Sequence, residues 1–360
     1  MIVAGTRPEI IKLAPLLKRL HSDEYIFVHT GQHYDRSLSA QFIHDLDLAA
    51  PSLEFQLAEK EPSIQISEMI RGLSKSLGDL KPDMICVEGD TNTVLAASIA
   101  ALKSETPLCH IEAGLRSRDW RMPEEHNRII ADHSSDLLFA PTRETGKNLR
   151  EENVHGEIHI SGNTVIDALN QNVLIADSKS TLTPPQDEYV LTTLHRAENV
   201  DDPRILSSLV ESITSIPIKV IFPIHPRTVL NLRKFGLYKK LERASNVEVM
   251  PPLGYFDFLR LMKDCKFIIT DSGGIQEEAT APSIRKHVLV LRRSTERPEA
   301  VKRGFAKVVG TNSKRINRAI HSTLKNFYDL QRALPRKSPY GDGFAAAKIE
   351  KITRRYLHNK

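Results

Sequence analysis

The amino-acid sequence predicts an α/β protein with two Rossmann-like domains that face a cleft between them. Three observations lead to this fold class. Short apolar runs alternate with longer segments of helical periodicity, a pattern typical of parallel sheets flanked by helices. A polar stretch rich in Ser, Thr and Pro separates two series of such runs. Charged or small residues follow nearly every run, and ligands bind at such positions in sheets of this kind.

The predicted strands fall into two series of five. The first series covers residues 2–4, 25–29, 84–87, 108–111 and 137–140. The second series covers residues 189–193, 220–223, 247–250, 267–270 and 288–291. Helices are expected in the intervening segments, for example at 94–102 and 256–262, because apolar residues recur there at helical spacing.

The polar stretch at 177–188 is predicted to be a linker between two domains, which cover residues 1–176 and 189–340. A chain of 360 residues is long enough for two domains of ordinary size. The segment 343–357 has a helical pattern. We predict that residues 341–360 form a helix that crosses back to the first domain.

Composition and charge exclude several classes of protein. Hydrophobic residues make up 40% and charged residues 26% of the chain, which is the balance of a globular protein. The net charge of +5 suits an anionic substrate and is equally an ordinary surface, and no run of five like charges indicates a nucleic-acid partner. The sequence shows no signal segment and no apolar run of membrane-spanning length, and its three cysteines form no CxxC pair. We therefore expect a cytoplasmic protein with no membrane partner.

The first predicted strand is followed by a helix start with a possible anion site. Thr6, Pro8 and Glu9 have the spacing of a capping box with proline in the first turn. This places Arg7 at a helix N-terminus, which favours an anion, and Lys12 one turn further on. A helix that is merely well capped is the alternative interpretation.

A glycine-containing turn follows the predicted strand at 267–270. Gly273 and Gly274 would let the backbone approach a ligand closely, and the helix that begins there would donate amides to phosphate. Ser272 precedes them, and Glu278 lies one turn into the helix, where it could accept from ribose hydroxyls. The sequence is neither GxGxxG nor a P-loop, so neither NAD nor ATP is predicted. A plain tight turn is the alternative.

Three carboxylates are candidates for proton transfer, namely Asp90, Glu112 and Glu124. Asp90 and Glu112 follow neighbouring predicted strands, so they are expected in one cleft. Carboxylates that lie close together raise one another's pKa, which suits general acid–base work. The alternative for Glu124 is a helix-dipole partner in the first turn of a helix.

Two histidines, His195 and His225, also follow predicted strands. A histidine there can bind phosphate or carry a proton, and it can equally be a structural donor. The best candidate metal cluster is formed by His126, Asp132 and His133, but its spacing matches no known metal motif. No metal is predicted.

Ten short strings in this order resemble the non-hydrolysing UDP-N-acetylglucosamine 2-epimerase family, over nearly the whole chain. In the first half they are G-T-R-P-E-I-I-K at 5–12, T-G-Q-H-Y-D at 30–35, G-D-T-N-T-V at 89–94, I-E-A-G-L-R-S at 111–117, M-P-E-E-H-N-R at 122–128 and G-N-T-V-I-D-A at 162–168. In the second half they are H-R-A-E-N at 195–199, D-S-G-G-I-Q-E-E at 271–278, T-E-R-P-E-A at 295–300 and P-Y-G-D-G at 339–343. Each string is weak alone, but the ordered combination is specific.

The resemblance implies a glycosyltransferase-B-like fold with UDP bound in the interdomain cleft and a role for each matching residue. The implied catalytic residues are Asp90, Glu112, Glu124 and His195. The implied substrate-binding residues are Arg7, Lys12, His225, Phe258, Ser272, Gly273, Gly274, Glu278 and Arg297. Arg7, Lys12 and His195 would hold the diphosphate, whereas Phe258 would contact uracil. The first domain would thus carry the catalytic carboxylates and the second would bind UDP.

The reaction implied is C2 epimerisation of UDP-N-acetylglucosamine to UDP-N-acetylmannosamine, through elimination of UDP and its re-addition to a glycal. No cofactor is implied, and the resemblance also implies a homodimer that acts in polysaccharide biosynthesis. The chain departs from the family's bacterial members at 252–254, at 279–287 and at 32–35, the last near a regulatory substrate site.

Four other functions stay open at this point. They are epimerisation of a modified UDP-sugar such as a diacetamido uronic acid, glycosyl transfer by the same fold, hydrolytic epimerisation, and sugar-nucleotide sensing without catalysis.

Overall fold

The computed structural model describes residues 1–32, 42–59 and 61–359, so the motif at 30–35 lies outside the described residues from His33 onward. Two sheets form in the described chain, and every recorded strand pair in them is parallel. The first sheet contains β1 Ile2–Ala4, β2 Phe27–His29, β3 Leu53–Glu54, β4 Ile85–Glu88, β5 Leu108–Ile111, β6 Leu137–Ala140 and β7 Glu157–Ile160. The second contains β8 Tyr189–Thr193, β9 Lys219–Pro223, β10 Val247–Met250, β11 Ile268–Thr270, β12 Val288–Val290 and β13 Ala306–Val308.

Helices alternate with the strands in both halves of the chain, as parallel sheets require. In the first half they are α1 Arg7–Leu17, α2 Pro62–Leu80, α3 Asn92–Lys103, α4 Pro123–Ser134, α5 Arg143–Glu151 and α6 Thr164–Lys179. The second half has α7 Ala197–Val200, α8 Pro203–Thr214, α9 Pro226–Lys234, α10 Tyr238–Glu242, α11 Tyr255–Asp264, α12 Gly273–Glu278, α13 Pro298–Lys302, α14 Ser313–Lys325, α15 Phe327–Ala333 and α16 Ala345–His358.

The chain divides into two compact units. Unit 1 comprises Met1–Ala168 and Tyr340–Lys360, and unit 2 comprises Leu169–Pro339. The division falls within α6 at residue 168, earlier than the stretch 177–188 that composition predicted. Composition marks where a chain is polar, whereas a helix can carry a boundary without any change in composition.

Unit 1 has the strand order β3-β2-β1-β4-β5-β6-β7. The order reverses between β1 and β4, which makes a topological switch point where loops diverge and leave a crevice. Its core includes the buried side chains of Val3, Val28, Ile85 and Leu108. The last helix, α16, belongs to this unit, because the amides of Ala345 and Ala346 donate to the buried Asp167.

Unit 2 repeats this design with the order β10-β9-β8-β11-β12-β13 and a switch point between β8 and β11. Its core contains Val190, Phe222, Ile269 and Leu289 from the sheet. The predicted fold class is therefore confirmed: two parallel sheets alternate with helices.

All ten predicted strands are present, and the described residues contain three further strands, β3, β7 and β13, that were missed. The three lie at sheet edges, where a strand buries less apolar surface. Strand β7, for example, reads Glu-Ile-His-Ile, and none of its residues is buried. A short, half-polar run of this kind gives no signal in the sequence.

No helix among the described residues is long and apolar enough to cross a membrane.

Candidate active site

A pocket of about 460 Å³ lies in unit 1 at the carboxyl ends of β1 and β4. The start of α1, the turn between β4 and α3 and the first turn of α4 supply its lining. The charged residues in that lining are Glu9, Lys12, Glu88, Asp90 and Glu124. Three of these were predicted site residues, and parallel pairing brings them together because it collects the strand ends at one edge of the sheet.

Glu9 occupies the start of α1 and also lines the pocket. Its carboxylate accepts from the amides of Gly5 at 2.9 Å and Thr6 at 2.7 Å, as a capping box requires, and from the Thr91 hydroxyl at 2.6 Å. Burial raises the pKa of Glu9, and these hydrogen bonds oppose that rise. The capping interpretation thus accounts for two backbone amides, while Arg7 stands half-buried beside them.

Lys12 lies between two carboxyl groups. Its ammonium nitrogen is 2.7 Å from Glu112 Oε2 and 3.0 Å from Glu88 Oε1. Glu112 Oε2 also accepts from Asn163 Nδ2 at 2.8 Å. Glu112 has a φ of 70°, which is uncommon for a residue other than glycine, and its side chain is almost fully buried. The backbone is therefore held in an unusual conformation where the carboxylate meets Lys12, as residues at functional sites often are.

Asp90 follows Gly89, whose φ of 83° allows a tight turn after β4. The Asp90 carboxylate contacts the Arg128 guanidinium, and its carbonyl accepts from Asn127 Nδ2 at 3.0 Å. Both partners come from α4, so that helix fixes the position of Asp90. The Asp90 side chain remains 28% exposed, so solvent or a ligand can reach it.

Two adjacent glutamates at the start of α4 differ in environment. Glu125 is buried and accepts from the amides of Ser117 at 2.9 Å and Arg118 at 2.8 Å and from Arg128 at 2.5 Å. Glu124 is exposed and lines the pocket. Glu125 therefore holds the preceding loop, and Glu124 is the one that faces the pocket.

A buried network supports the turn before Asp90. His110 Nε2 lies 2.8 Å from the Gly89 carbonyl oxygen, and His110 Nδ1 lies 2.7 Å from Asp132. Asp132 is paired with Arg116 at 2.7 Å. Burial would raise the pKa of Asp132, but His110 and Arg116 outweigh it and lower that pKa. No metal-binding cluster occurs among the described residues, and Asp132 is bonded to protein groups.

The switch point of unit 2, between β8 and β11, contains the carboxylate of Asp271. This carboxylate is fully buried and accepts from the amides of His195 at 3.1 Å and Arg196 at 3.0 Å and from Asn199 Nδ2 at 3.0 Å. Asp271 therefore fixes the loop that carries His195. The His195 ring lies 6.0 Å from that of His225 and is partly exposed. Burial lowers the pKa of both imidazoles, so both tend to be neutral near pH 7.

The turn at Ser272, Gly273 and Gly274 opens α12, and the Ser272 hydroxyl is its cap, at 3.5 Å from the amide of Ile275. A Cβ atom on Gly273 would stand 2.7 Å from Glu296 Oε1. A side chain at 273 would therefore require the Glu296 carboxylate to shift.

Arginines surround this turn. Arg297 is buried and paired with Glu277 at 2.6 Å, and Glu296 contacts Arg292 at 2.6 Å and Arg196 at 3.4 Å. The predicted residue Arg297 therefore faces a buried carboxylate in this structure.

The two remaining predicted residues of unit 2 are half-buried. Phe258 lies on α11, and Glu278 lies at the end of α12. Burial and the nearby Glu278 carboxylate raise the pKa of Tyr255 on α11, so Glu278 is close to the helix that carries Phe258.

The sequence reasoning missed Glu88, Arg128 and Asn163. Arg128 and Asn163 stand inside quoted motifs, but a motif does not show which side chain meets which. Glu88 had one available signal, its position at the end of a predicted strand directly before Gly89 and Asp90.

Comparisons with known proteins agree with this arrangement. The model of the family described as UDP-N-acetylglucosamine 2-epimerase matches residues 17–354. A UDP-N-acetylglucosamine 2-epimerase from Methanococcus maripaludis is 41% identical over 362 residues, with 98% of this chain and 97% of that protein covered.

Two solved structures are similar over nearly the whole chain. The Methanocaldococcus jannaschii UDP-GlcNAc 2-epimerase in complex with UDP-GlcNAc and UDP has a TM-score of 0.86 and 38% identity, covering 98% of this chain and 99% of that chain. The Neisseria meningitidis UDP-GlcNAc 2-epimerase bound to UDP-GlcNAc has a TM-score of 0.87 and 33% identity, with the same coverage.

Two parallel sheets with polar switch points, together with these structural neighbours, define an α/β protein of the glycosyltransferase-B-like class. Within that class, the chain belongs to the UDP-N-acetylglucosamine 2-epimerase family, whose named relatives are isomerases.

Proposed function

We propose that this protein is an isomerase that interconverts UDP-N-acetylglucosamine and UDP-N-acetylmannosamine without hydrolysis. The observation that carries the proposal is the pocket of unit 1. Asp90, Glu124 and Lys12 line this pocket, and the Lys12 ammonium group contacts the Glu112 carboxylate at 2.7 Å. A set of carboxylates beside a fixed cation is what proton transfer next to a departing diphosphate requires. The names of the similar proteins agree with this substrate.

The chemistry we propose is elimination followed by re-addition. The C2 hydrogen of the sugar is not acidic, but cleavage of the C1–O bond to UDP produces an oxocarbenium ion that makes this hydrogen labile. One carboxylate among Asp90, Glu112 and Glu124 then removes the proton and leaves a 2-acetamidoglucal and UDP. Return of a proton to the other face, with UDP re-added at C1, gives the epimer. The electron pairs balance without a nicotinamide cofactor or a metal.

Two sets of predicted residues are assigned to charge stabilisation of the departing UDP. Lys12 and Arg7 of unit 1 would hold the diphosphate as cations. In unit 2, the amides of Ser272, Gly273 and Gly274 would donate to phosphate.

The other predicted residues of unit 2 complete the nucleotide contacts. Four of them, His195, His225, Glu278 and Phe258, would contact the diphosphate, ribose and uracil. Arg297 would join the anion site by exchanging Glu277 for phosphate. A homodimer located in the cytoplasm completes the proposal and rests on family resemblance.

Incubation of the full chain with UDP-N-acetylglucosamine alone in deuterated water tests the proposal. We expect the manno epimer to form with deuterium at C2, because the proton that returns comes from solvent-exchanged carboxyl groups. Proton NMR of the sugar signals measures this, with a sample lacking protein as the control.

Three outcomes would contradict the proposal. An unchanged, unlabelled sugar would favour a glycosyltransferase that needs an acceptor. Release of free N-acetylmannosamine with accumulation of UDP would indicate a hydrolysing epimerase. Turnover only of a diacetamido uronic acid derivative, in a panel of UDP-sugars, would move the activity to a modified substrate.

A further inference from the structure

Glu88 is a buried carboxyl group in the pocket of unit 1 to which the proposed chemistry gives no task. It ends β4, two residues before Asp90, and its side chain is 1% exposed. Its carboxyl group nevertheless lines the pocket together with Lys12 and Asp90. The group is thus inaccessible to bulk water but adjacent to the space that the substrate is proposed to enter.

The contacts of Glu88 differ sharply from those of Glu112. Among the residues that the structure describes, neither oxygen of Glu88 has a partner with hydrogen-bond geometry, and the ammonium group of Lys12 approaches one of them to 3.0 Å. Glu112 instead receives both Lys12 at 2.7 Å and Asn163 at 2.8 Å. Lys12 is therefore the cation that offsets the burial of Glu88, through an ion pair.

Such an arrangement contributes little to stability. Burial raises the pKa of Glu88 well above its usual range, and nearby Glu112 raises it further, while Lys12 lowers it. A carboxyl group with poor compensation costs free energy that an apolar side chain of similar size would not. Perturbed groups of this kind concentrate at functional sites, so a role in the site explains Glu88 better than a role in folding.

We propose that Glu88 is a positioning residue that holds the Lys12 ammonium group at the mouth of the pocket by contact, opposite Glu112. Two carboxyl groups, one at the end of β4 and one directly after β5, hold the ammonium nitrogen of Lys12 at 3.0 Å and 2.7 Å. If the Glu88 carboxyl group is removed, the Lys12 ammonium group shifts towards Glu112. This shift weakens substrate binding more than it slows the chemical step. This inference rests on the proposed function, because Lys12 is assigned to the diphosphate there.

Steady-state kinetics of three variants test the inference in the full chain. Glu88→Leu removes the acceptor and keeps the volume, Glu88→Asp keeps a carboxyl group but shortens its reach, and Glu88→Gln keeps an acceptor oxygen at the same reach. For Leu and Asp we expect the KM for UDP-N-acetylglucosamine to rise about tenfold, the value of one hydrogen bond to a charged group, with kcat changed less than about threefold. For Gln we expect both constants within about twofold of the wild type. Glu157→Leu, at an exposed position on β7, is the control and should change neither constant.

Two results would overturn the inference. One is an unchanged KM in both Glu88→Leu and Glu88→Asp. The other is a Glu88→Gln variant as impaired as Glu88→Leu, since charge rather than contact would then be required. If Glu88→Leu does not fold, by circular dichroism, the Asp and Gln pair still decides the question. Turnover by the wild type in the same assay separates these results from failure of the proposed function, which would abolish turnover in every sample.

Discussion

At the scale of single residues, the carboxylates at and near the pocket of unit 1 differ in burial and in the groups that they bind. Glu9 and Glu125 are buried, and each accepts from two backbone amides and one side chain, so they hold loops in place. Asp90 is partly exposed, and its main contact is the Arg128 guanidinium. A carboxylate held by one cation and open on its other side can exchange a proton with a ligand. Asp90 is therefore the residue whose chemical replacement is most informative.

Asp90→Asn is expected to abolish turnover while UDP binding is retained. The amide keeps the shape of the side chain and can still accept from Arg128, but it cannot take up a proton. General acid–base catalysis contributes about a hundredfold or more, so kcat should fall by at least that factor. The Kd for UDP, measured by calorimetry, should stay within about threefold of the wild type.

The matched control is Asp79→Asn, an exposed position on α2 that should keep full activity. Turnover retained in Asp90→Asn would remove Asp90 from the proton-transfer role. Loss of UDP binding together with turnover would point to a structural role instead.

Residue positions were predictable from sequence only where the backbone pattern itself places them. Asp90 and Glu112 follow adjacent predicted strands, and β4 and β5 do pair side by side. The partners of these residues were not predictable. Asn163 meets Glu112 across a separation of 51 residues, and Lys12 meets it across 100. Such contacts are set by the packing of whole elements, which a single sequence does not show.

At the scale of elements, one side chain ties the last helix of the chain to unit 1. Asp167, in the first turn of α6, is buried and accepts from the amides of Ala345 at 3.1 Å and Ala346 at 2.9 Å. Those amides open α16 and have no partner within their own helix. Asp167 thus caps a helix 178 residues away in sequence. The sequence indicated that α16 is helical, but not which residue caps it.

Asp167→Ala should destabilise unit 1. Two buried amides would lose their acceptor, and an unsatisfied buried donor costs about 1–3 kcal/mol. Urea unfolding followed by Trp120 fluorescence measures the free energy of unfolding, because Trp120 is the only tryptophan in the sequence and lies in unit 1. Asp167→Asn keeps one acceptor oxygen and should lose about half as much. An unchanged midpoint in Asp167→Ala would mean that water or the backbone replaces the carboxylate.

At the scale of the whole molecule, the chain divides into two units, each with a hydrophobic core of its own. The core of unit 2 is formed by side chains from β8 to β12 and the helices around them, and none of its members belongs to unit 1. The alternation of strands and helices made this organisation predictable. The position of the boundary inside α6 was not, because the helical pattern continues through it. A substitution in one unit should therefore first lower the free energy of unfolding of that unit.

Glu296 offers the clearest test of that separation, since it lies in unit 2 among three arginines. Burial would raise its pKa, but Arg297, Arg292 and Arg196 outweigh burial and lower the pKa to about 2. The folded-state value lies below the ordinary 4.5, so the stabilisation is present above pH 4.5 and is lost as the pH falls towards 2. Glu296→Gln should lower the free energy of unfolding by on the order of 3 kcal/mol at pH 6 and by progressively less below pH 4.5, because acid removes the same charge from the wild type.

Denaturant unfolding at several pH values measures the effect of Glu296→Gln. Circular dichroism follows the whole chain, and Trp120 fluorescence follows unit 1. We expect the substitution to shift only the circular dichroism transition, while Glu248→Gln, on the exposed edge of β10, should shift neither. An equal shift in Trp120 fluorescence would show instead that the two units unfold as a single cooperative system.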